Sequence, residues 1–200
     1  MSKITAAITA VGGYVPDYVL SNEILETMVD TNDDWITART GIKERRILKD
    51  KDKGTSFLAI QAAKNLLKKN NTDPKEIDMI VMATATPDMP VAVTGSYVAT
   101  QIGAENAFSY DLMAACSSFL FGMSVAAKYI ESGRYNKVLL IGADKMSSIL
   151  DYKDRTTCII FGDGAGAALF EPNYEGLGVQ DELLRTDGSG RESLKIDAGG

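Results

Sequence analysis

The sequence of 200 residues contains no histidine. Without an imidazole the chain cannot complete a Ser-His or Cys-His pair by itself, and such pairs are a common way to activate a nucleophile. Only two cysteines are present, Cys116 and Cys158, so the chain also falls short of a structural zinc site, which normally takes four Cys or His ligands. We therefore expect no metal. Two cysteines are also too few for a disulfide scaffold and are typical of an intracellular protein.

Long hydrophobic runs and an excess of positive charge are absent too. No segment approaches the roughly 18 apolar residues that a membrane-spanning helix needs. The N-terminus, Met1–Ile8, lacks the charged start and the cleavage site of a secretory signal and predicts a first strand instead. The 27 acidic residues outnumber the 21 basic ones, which argues against a nucleic-acid surface. We expect a soluble, cytoplasmic protein with neither nucleic acid nor membrane as a partner.

What the sequence does contain is an alternation of strand and helix patterns. The run over 77–84 is almost entirely apolar, as strands covered on both faces of a sheet are. Further strands are expected over 108–112, 138–143, 157–161 and 165–170, helices over 94–103 and 117–131, and helix starts at Ser21, Thr31 and Thr55. The pattern predicts a layered α/β domain with a mostly parallel, five-stranded sheet.

Cys116 lies in the segment Asp111–Phe119, DLMAACSSF, between a predicted strand and a predicted helix. Small neighbours permit a tight turn that would hold the thiol away from the sheet. The positive end of a helix beginning at Ser117 favours a thiolate, the nucleophilic form of cysteine. Because that helix is small or apolar on most sides, we expect it to be buried. The competing interpretation is that Cys116, like Cys158 in its predicted strand, is only a small buried side chain.

Trp35 and Arg39 stand four residues apart on a short predicted helix and so share one face. An indole beside a guanidinium can stack on a flat ring or meet a phosphate, or it can be a simple surface cation–π pair. The basic run from Lys43 to Lys53 that follows fits either a solvated loop or a nearby phosphate-bearing ligand.

The glycine-rich segment Gly162–Ala167, GDGAGA, fits neither the dinucleotide-binding pattern nor the P-loop, because no helix opening with Lys and Ser or Thr follows it. Its small residues are expected to let two backbones pack closely. The stretch Gly122–Ala126 ends in alanine, so the G-x-S-x-G elbow of hydrolases is absent.

Taken together, four segments resemble β-ketoacyl-acyl carrier protein synthase III in order and spacing. They are Asn32–Arg45 (NDDWITARTGIKER), Ala114–Ser118 (AACSS), Asp154–Thr157 (DRTT) and Phe161–Ala168 (FGDGAGAA). The first segment is the most specific, since it separates the initiating synthases from the elongating ones and from thiolases.

The resemblance implies a thiolase-like fold of two similar α/β halves, usually in a homodimer. Residues 1–172 would form the N-terminal half, and residues 173–200 would lead into a second half that this chain lacks. The implied reaction is the decarboxylating condensation of an acyl-CoA primer with malonyl-acyl carrier protein, which initiates type II fatty-acid biosynthesis. No cofactor is implied beyond the coenzyme A thioester, which is a substrate.

The resemblance also assigns roles to individual residues. Cys116 matches the family's nucleophile, which forms an acyl-enzyme. Trp35 and Arg155 match the residues that flank the adenine of coenzyme A, with Arg39 near the phosphates and Thr31 at the adenine edge. Residues that match the acyl pocket are Ala85, Phe161 and Val91, the last reaching it across the dimer.

The family's catalytic His and Asn, and one of its two oxyanion-hole N–H groups, would lie in the second half. We therefore expect a fragment of a longer enzyme, inactive in condensation by itself. Two other interpretations stay open: a related ketoacyl synthase of secondary metabolism with another acyl acceptor, and a non-catalytic, thiolase-like dimerisation module.

Overall fold

Two sheets and five helices organise the chain in the computed structural model, which describes residues 4–196. The strands are β1 (Thr5–Tyr14), β2 (Tyr18–Ser21), β3 (Glu44–Ile47), β4 (Met79–Ala83), β5 (Phe108–Leu112), β6 (Val138–Lys145) and β7 (Asp163–Asn173). The helices are α1 (Asn22–Glu26), α2 (Asp33–Thr40), α3 (Thr55–Asn70), α4 (Thr94–Ile102) and α5 (Ser118–Glu131). Residues 1–3 of the predicted first strand and 197–200 of the predicted connection lie outside the described residues.

The main sheet has five strands in the order β1-β7-β6-β4-β5. Strand β4 is parallel to both of its neighbours, β5 and β6, whereas β7 is antiparallel to both β1 and β6. Four strands therefore run in one direction and β7 alone is reversed, which confirms the predicted mostly parallel, five-stranded sheet.

Helices cover both faces of this sheet. On one face α3 and α4 pack against Ile80, Met82 and the inward residues of β6 and β7. On the other face Ala126, Ala127 and Ile130 of α5 pack against the alternate residues of the same strands. Because successive side chains of a strand point to opposite faces, all five residues of β4 are buried, as the apolar run predicted.

The helix that follows the cysteine is buried along one face. Its side toward the sheet carries Gly122, and a Cβ there would lie 2.4 Å from Leu140 Cδ1. On the opposite side, Leu120 is 58% exposed. The expected burial of α5 therefore holds for the face that meets the sheet, and the other apolar face is open in this chain.

A smaller unit stands beside the main sheet. Antiparallel β2 and β3, with α1 and α2 between them in the chain, enclose a separate apolar cluster built on Leu25 and Ile36. The cluster is completed by Cys158 and Ile159, which come from the segment before β7. This arm carries Trp35.

Two local predictions are wrong. Asn32, not Thr31, caps α2, because its Oδ1 accepts a hydrogen bond from the backbone N–H of Trp35 (2.8 Å). The strand predicted over 157–161 is a series of turns, in which Cys158 N–H donates to Asp154 O (3.1 Å). The Asp154 carboxylate winds the chain by accepting from Thr156 N–H (2.9 Å), and this local bonding overrides the strand preference of the β-branched residues.

Residues beyond β7 remain largely exposed up to Ile196, with a single short 3₁₀ segment over Gly188–Ser193. The division at residue 172 stays a prediction. None of the helices within residues 4–196 has the length and apolar character needed to cross a lipid bilayer.

Candidate active site

Cys116 lies in a short 3₁₀ turn, Ala115–Ser117, between the end of β5 and the start of α5. Ala115 adopts a left-handed backbone with φ of 48°, a conformation that costs a non-glycine residue about 1–2 kcal/mol. Ser118 holds the turn, since its hydroxyl accepts from Ala114 N–H (2.6 Å) and donates to Ala115 O (2.7 Å). Cys116 is exposed in this chain, as expected of a turn that holds the thiol away from the sheet.

A cavity of about 930 Å³ opens above this turn. Its wall brings Cys116 together with Ala85 and Phe161, three residues far apart in the sequence. Asp154 and Thr157, which flank Arg155, also line it. The structure therefore joins the candidate nucleophile to two of the three predicted acyl-pocket residues.

The third, Val91, lies elsewhere. It is fully exposed and does not line the cavity. Its φ of 74° is unusual for a β-branched residue, so the chain holds this side chain outward at some cost in backbone energy. Such a placement is compatible with the expectation that Val91 acts across a dimer.

Asp144, at the end of β6, fixes the turn that bears Ala85. One carboxylate oxygen, Oδ1, accepts from Ala85 N–H (2.8 Å), Thr86 N–H (3.1 Å) and the Thr84 hydroxyl (3.0 Å). Bonds from backbone N–H groups to a charged acceptor are stronger than neutral ones, so this edge of the cavity is held rigidly.

The glycine-rich segment forms another side of the cavity. At Gly162 a Cβ would lie 3.1 Å from Arg46 O, so there the predicted close approach of two backbones is confirmed. At Gly166 a Cβ would meet nothing within 4 Å, and this residue lines the cavity. The small side chains of β7 thus also leave room beside Cys116.

Trp35 forms a second cluster with two arginines. The guanidinium carbon of Arg39 lies 4.3 Å from the indole centroid, and that of Arg155 lies 5.1 Å from it. Arg155 is also tied to the loop before α2, since its Nη1 donates to Asp30 O (2.9 Å). The predicted pairing of Trp35 with Arg39 is confirmed, and Arg155 joins them from a remote part of the chain.

Thr31 stands one residue before the cap of this helix. Its hydroxyl oxygen is buried and has no hydrogen-bond partner, one of two such side-chain atoms within residues 4–196. An unsatisfied buried hydroxyl costs about 1–3 kcal/mol, so a ligand that offered it a partner would recover that energy.

The charge at the start of α2 is fixed by its neighbours. A hydrogen bond from Asn22 and the ion pair with Lys43 (Nζ to Oδ2, 2.9 Å) lower the pKa of Asp33 to about 2. The carboxylate is therefore ionised near neutral pH, and its negative charge at the N-terminus stabilises the helix that carries Trp35.

Sequence reasoning missed several residues of the cavity. Met146, Leu194 and Ile196 line it, from the segment after β6 and from the chain beyond β7. No local sequence pattern singles them out.

Within the described part of the chain, no group of three or more His, Cys, Asp or Glu side chains is arranged to hold a metal ion.

The five-stranded α/β layer, with its exposed cysteine at a strained turn between strand and helix, has the thiolase-like fold expected from the sequence, since it superposes on solved structures of synthases of this class. Residues 110–188 match the family model for 3-oxoacyl-[acyl-carrier-protein] synthase III. The β-ketoacyl-[acyl-carrier-protein] synthase III 2 of Bacteroides thetaiotaomicron is 54% identical over 200 residues, which are the whole of this chain and 60% of that protein. The resemblance to β-ketoacyl-acyl carrier protein synthase III is thereby confirmed.

Solved structures agree with this result. The β-ketoacyl-[acyl-carrier-protein] synthase III of Thermus thermophilus superposes with a TM-score of 0.91 at 39% identity, covering 96% of this chain and 59% of that one. The priming β-ketosynthase of the R1128 polyketide pathway superposes with a TM-score of 0.81 at 36% identity, covering 84% of this chain and 50% of that one. The chain spans about three fifths of the length of the curated relatives that it matches.

Proposed function

We propose that this chain supplies the acyl-accepting part of an enzyme that condenses an acyl-CoA primer with malonyl-acyl carrier protein and so initiates type II fatty-acid synthesis. The observation that carries the proposal is the exposed thiol of Cys116, held by a strained turn at the wall of a cavity with Ala85 and Phe161.

The chemistry proceeds in two steps. The Cys116 thiolate attacks the thioester carbon of the primer, a new C–S bond forms, and coenzyme A leaves as a thiolate that takes up a proton. The malonyl group then loses carbon dioxide, and its carbanion attacks the acyl-cysteine carbonyl. A C–C bond forms, Cys116 is released as the thiolate, and the product is a 3-oxoacyl-carrier protein.

The Trp35 cluster supplies binding energy for the leaving coenzyme A. The indole and the Arg155 guanidinium offer flat surfaces on which adenine can stack, and Arg39 adds a positive charge for the phosphates. The unpartnered hydroxyl of Thr31 is suited to a polar edge of the ring. Asp154 and Thr157, beside Arg155, connect this cluster to the cavity that holds Cys116.

Decarboxylation needs groups beyond those described. The family resemblance implies a His and an Asn, and the 200 residues contain no histidine. Since the chain spans three fifths of its relatives, we propose that these groups and one oxyanion-hole donor belong to the remaining part of the fold. The backbone N–H of Cys116, in the 3₁₀ turn that precedes α5, is the donor expected from this chain.

A homodimer completes the proposed pocket. Strand β5 forms an edge of the main sheet, with Phe108 partly exposed, so a second copy has a free edge to contact. Val91 projects fully into solvent in the single chain, as expected for a residue that enters the partner's acyl pocket.

A related synthase of secondary metabolism is the second candidate, and the similarity to the R1128 priming ketosynthase is the observation that supports it.

The choice of acyl acceptor distinguishes the fatty-acid synthase from the synthase of secondary metabolism. We expect the complete polypeptide, given acetyl-CoA, to release carbon dioxide from malonyl-acyl carrier protein much faster than from malonyl-CoA. The 200-residue chain alone is expected to release none. Preference for malonyl-CoA would favour secondary metabolism, and a folded protein that takes no acyl group would favour a dimerisation module.

Removal of the stacking surface should weaken coenzyme A binding. We expect Trp35→Ala to raise the Kd for coenzyme A by about 5- to 150-fold, because stacking of a base on an aromatic ring contributes about 1–3 kcal/mol. Tyr97→Ala is the matched control, since Tyr97 is an exposed aromatic residue on α4, outside this cluster. Calorimetric titration measures both, and an equal loss in the two variants would contradict the assignment.

A further inference from the structure

Arg45 is a buried cation in the middle of the small arm. It lies on β3, is 4% exposed, and takes part in none of the ion pairs found among residues 4–196. Its guanidinium instead donates to neutral oxygens. Nε and Nη2 both donate to Ile159 O, at 2.9 Å for Nε, and Nη1 donates to Asn22 Oδ1 (2.6 Å). A buried charge without a carboxylate partner is costly, so its retention calls for a reason.

One branch of this network holds α2, which carries Trp35 and Arg39. The amide of Asn22, turned by its bond to Arg45, donates to Asp33 Oδ1 (2.7 Å) and to Ile42 O (2.8 Å). Asp33 is the first residue of α2 and Ile42 lies just beyond its last. Both ends of the helix are thereby fixed to the same side chain.

The other branch holds the segment that carries Arg155 and Phe161. Ile159, whose carbonyl accepts two bonds from Arg45, lies between these two residues. Three residues further on, Gly162 packs so closely against β3 that a Cβ would be 3.1 Å from Arg45 Cβ. The segment is therefore fixed to β3 by a forked hydrogen bond and by a close backbone approach.

Only a planar fork fits this arrangement. The guanidinium presents several N–H groups in one plane and can reach the Ile159 carbonyl and the Asn22 amide together, whereas a lysine ammonium offers a single point charge. The same plane thus fixes the position of α2 relative to the 155–161 segment. The Tyr152 hydroxyl and the Cys158 thiol also lie near Arg45, and neither forms an ion pair with it.

We propose that Arg45 is a positioning residue that holds Arg155 at the Trp35 indole and thereby sets the preference for coenzyme A thioesters over thioesters that lack the nucleotide. The inference rests on the proposed function, because it presumes that the Trp35 cluster binds the adenine. Arg45 itself contacts no substrate. Its effect is confined to the part of the substrate that reaches the cluster, and the thioester chemistry at Cys116 is left unchanged.

The test compares two substrates in the complete polypeptide. The second-order rate constant for acylation of Cys116 is measured with acetyl-CoA and with acetyl-pantetheine, which lacks the adenosine and its phosphates. We expect Arg45→Met to lower the constant for acetyl-CoA at least tenfold, through KM, and to change that for acetyl-pantetheine less than twofold. Arg45→Lys should not restore the preference, because it lacks the fork.

Two further variants keep the test decisive. Arg46→Met removes the same charge from the next residue of β3, whose side chain pairs with Glu44 at the surface, and should leave the preference intact. Asn22→Ala removes the hydrogen bonds to Asp33 and Ile42, and it serves as the test variant if Arg45→Met does not fold. We expect it also to lower the rate constant for acetyl-CoA and to leave that for acetyl-pantetheine unchanged. An equal fall with both substrates, or no fall with acetyl-CoA, would overturn the role of Arg45. A wild-type protein with no preference between the substrates would overturn the coenzyme A site itself, before any variant is made.

Discussion

Replacement of Cys116 by serine is expected to lower the rate of acylation by acetyl-CoA at least about 10³-fold, because removal of a catalytic nucleophile has effects of this size or larger. A serine hydroxyl is a much weaker nucleophile than a cysteine thiol unless a positioned general base activates it. The measurement is the intact mass after incubation with acetyl-CoA. Wild-type protein should gain one acetyl group and the variant none.

Cys158 provides the internal control. Its thiol is buried in the apolar cluster of the small arm, and burial raises its pKa, which keeps it protonated and out of reach. Cys158→Ala should therefore retain the acetyl group on Cys116. An adduct on Cys116→Ser, or its loss in a folded Cys158→Ala protein, would place the acylated residue elsewhere.

The parts of the fold that the sequence predicted are those determined by neighbours in the chain. The apolar run of β4 predicted burial on both faces, and the left-handed Gly103 ends α4 where the helix predicted over 94–103 ends. The strand expected over 157–161 failed for a physical reason of the same short range. The Asp154 carboxylate accepts hydrogen bonds from the hydroxyls of Thr156 and Thr157, and these local bonds hold the backbone in turns.

The candidate site was predictable only where a motif carries it. Trp35 and Arg39 are four residues apart, so their contact follows from helical spacing, whereas Arg155 joined them through the family resemblance. No spacing in the sequence predicts the contacts of the residues that hold the site in place. Arg45 donates to a carbonyl 114 residues away, and Asp144 holds a turn 58–60 residues earlier in the chain, so their roles appear only when the fold brings those segments together.

Substitution of Gly12 by alanine is expected to reduce the free energy of unfolding by about 2–3 kcal/mol, the effect of overpacking a tight interface. A Cβ at this position of β1 would lie 2.6 Å from Ala62 O and 2.6 Å from Leu66 N, both backbone atoms of α3 that cannot rotate away. Gly13→Ala is the matched control. Its Cβ would have Ala165 O as its nearest contact, at an ordinary 3.5 Å, so we expect a change of less than about 0.5 kcal/mol.

The pair of variants also tests the register of β1. The pairing with β7 shifts between Ile8 and Ala10, and this bulge decides which later residues face α3. A strand in which the bulge were absent would turn Gly13 toward the helix and Gly12 away, because a one-residue slip exchanges the two faces. In urea unfolding, the two registers therefore predict opposite orders of destabilisation for Gly12→Ala and Gly13→Ala. Greater destabilisation by Gly13→Ala would contradict the observed pairing, and greater destabilisation by Gly12→Ala would locate the close approach of β1 and α3 at Gly12.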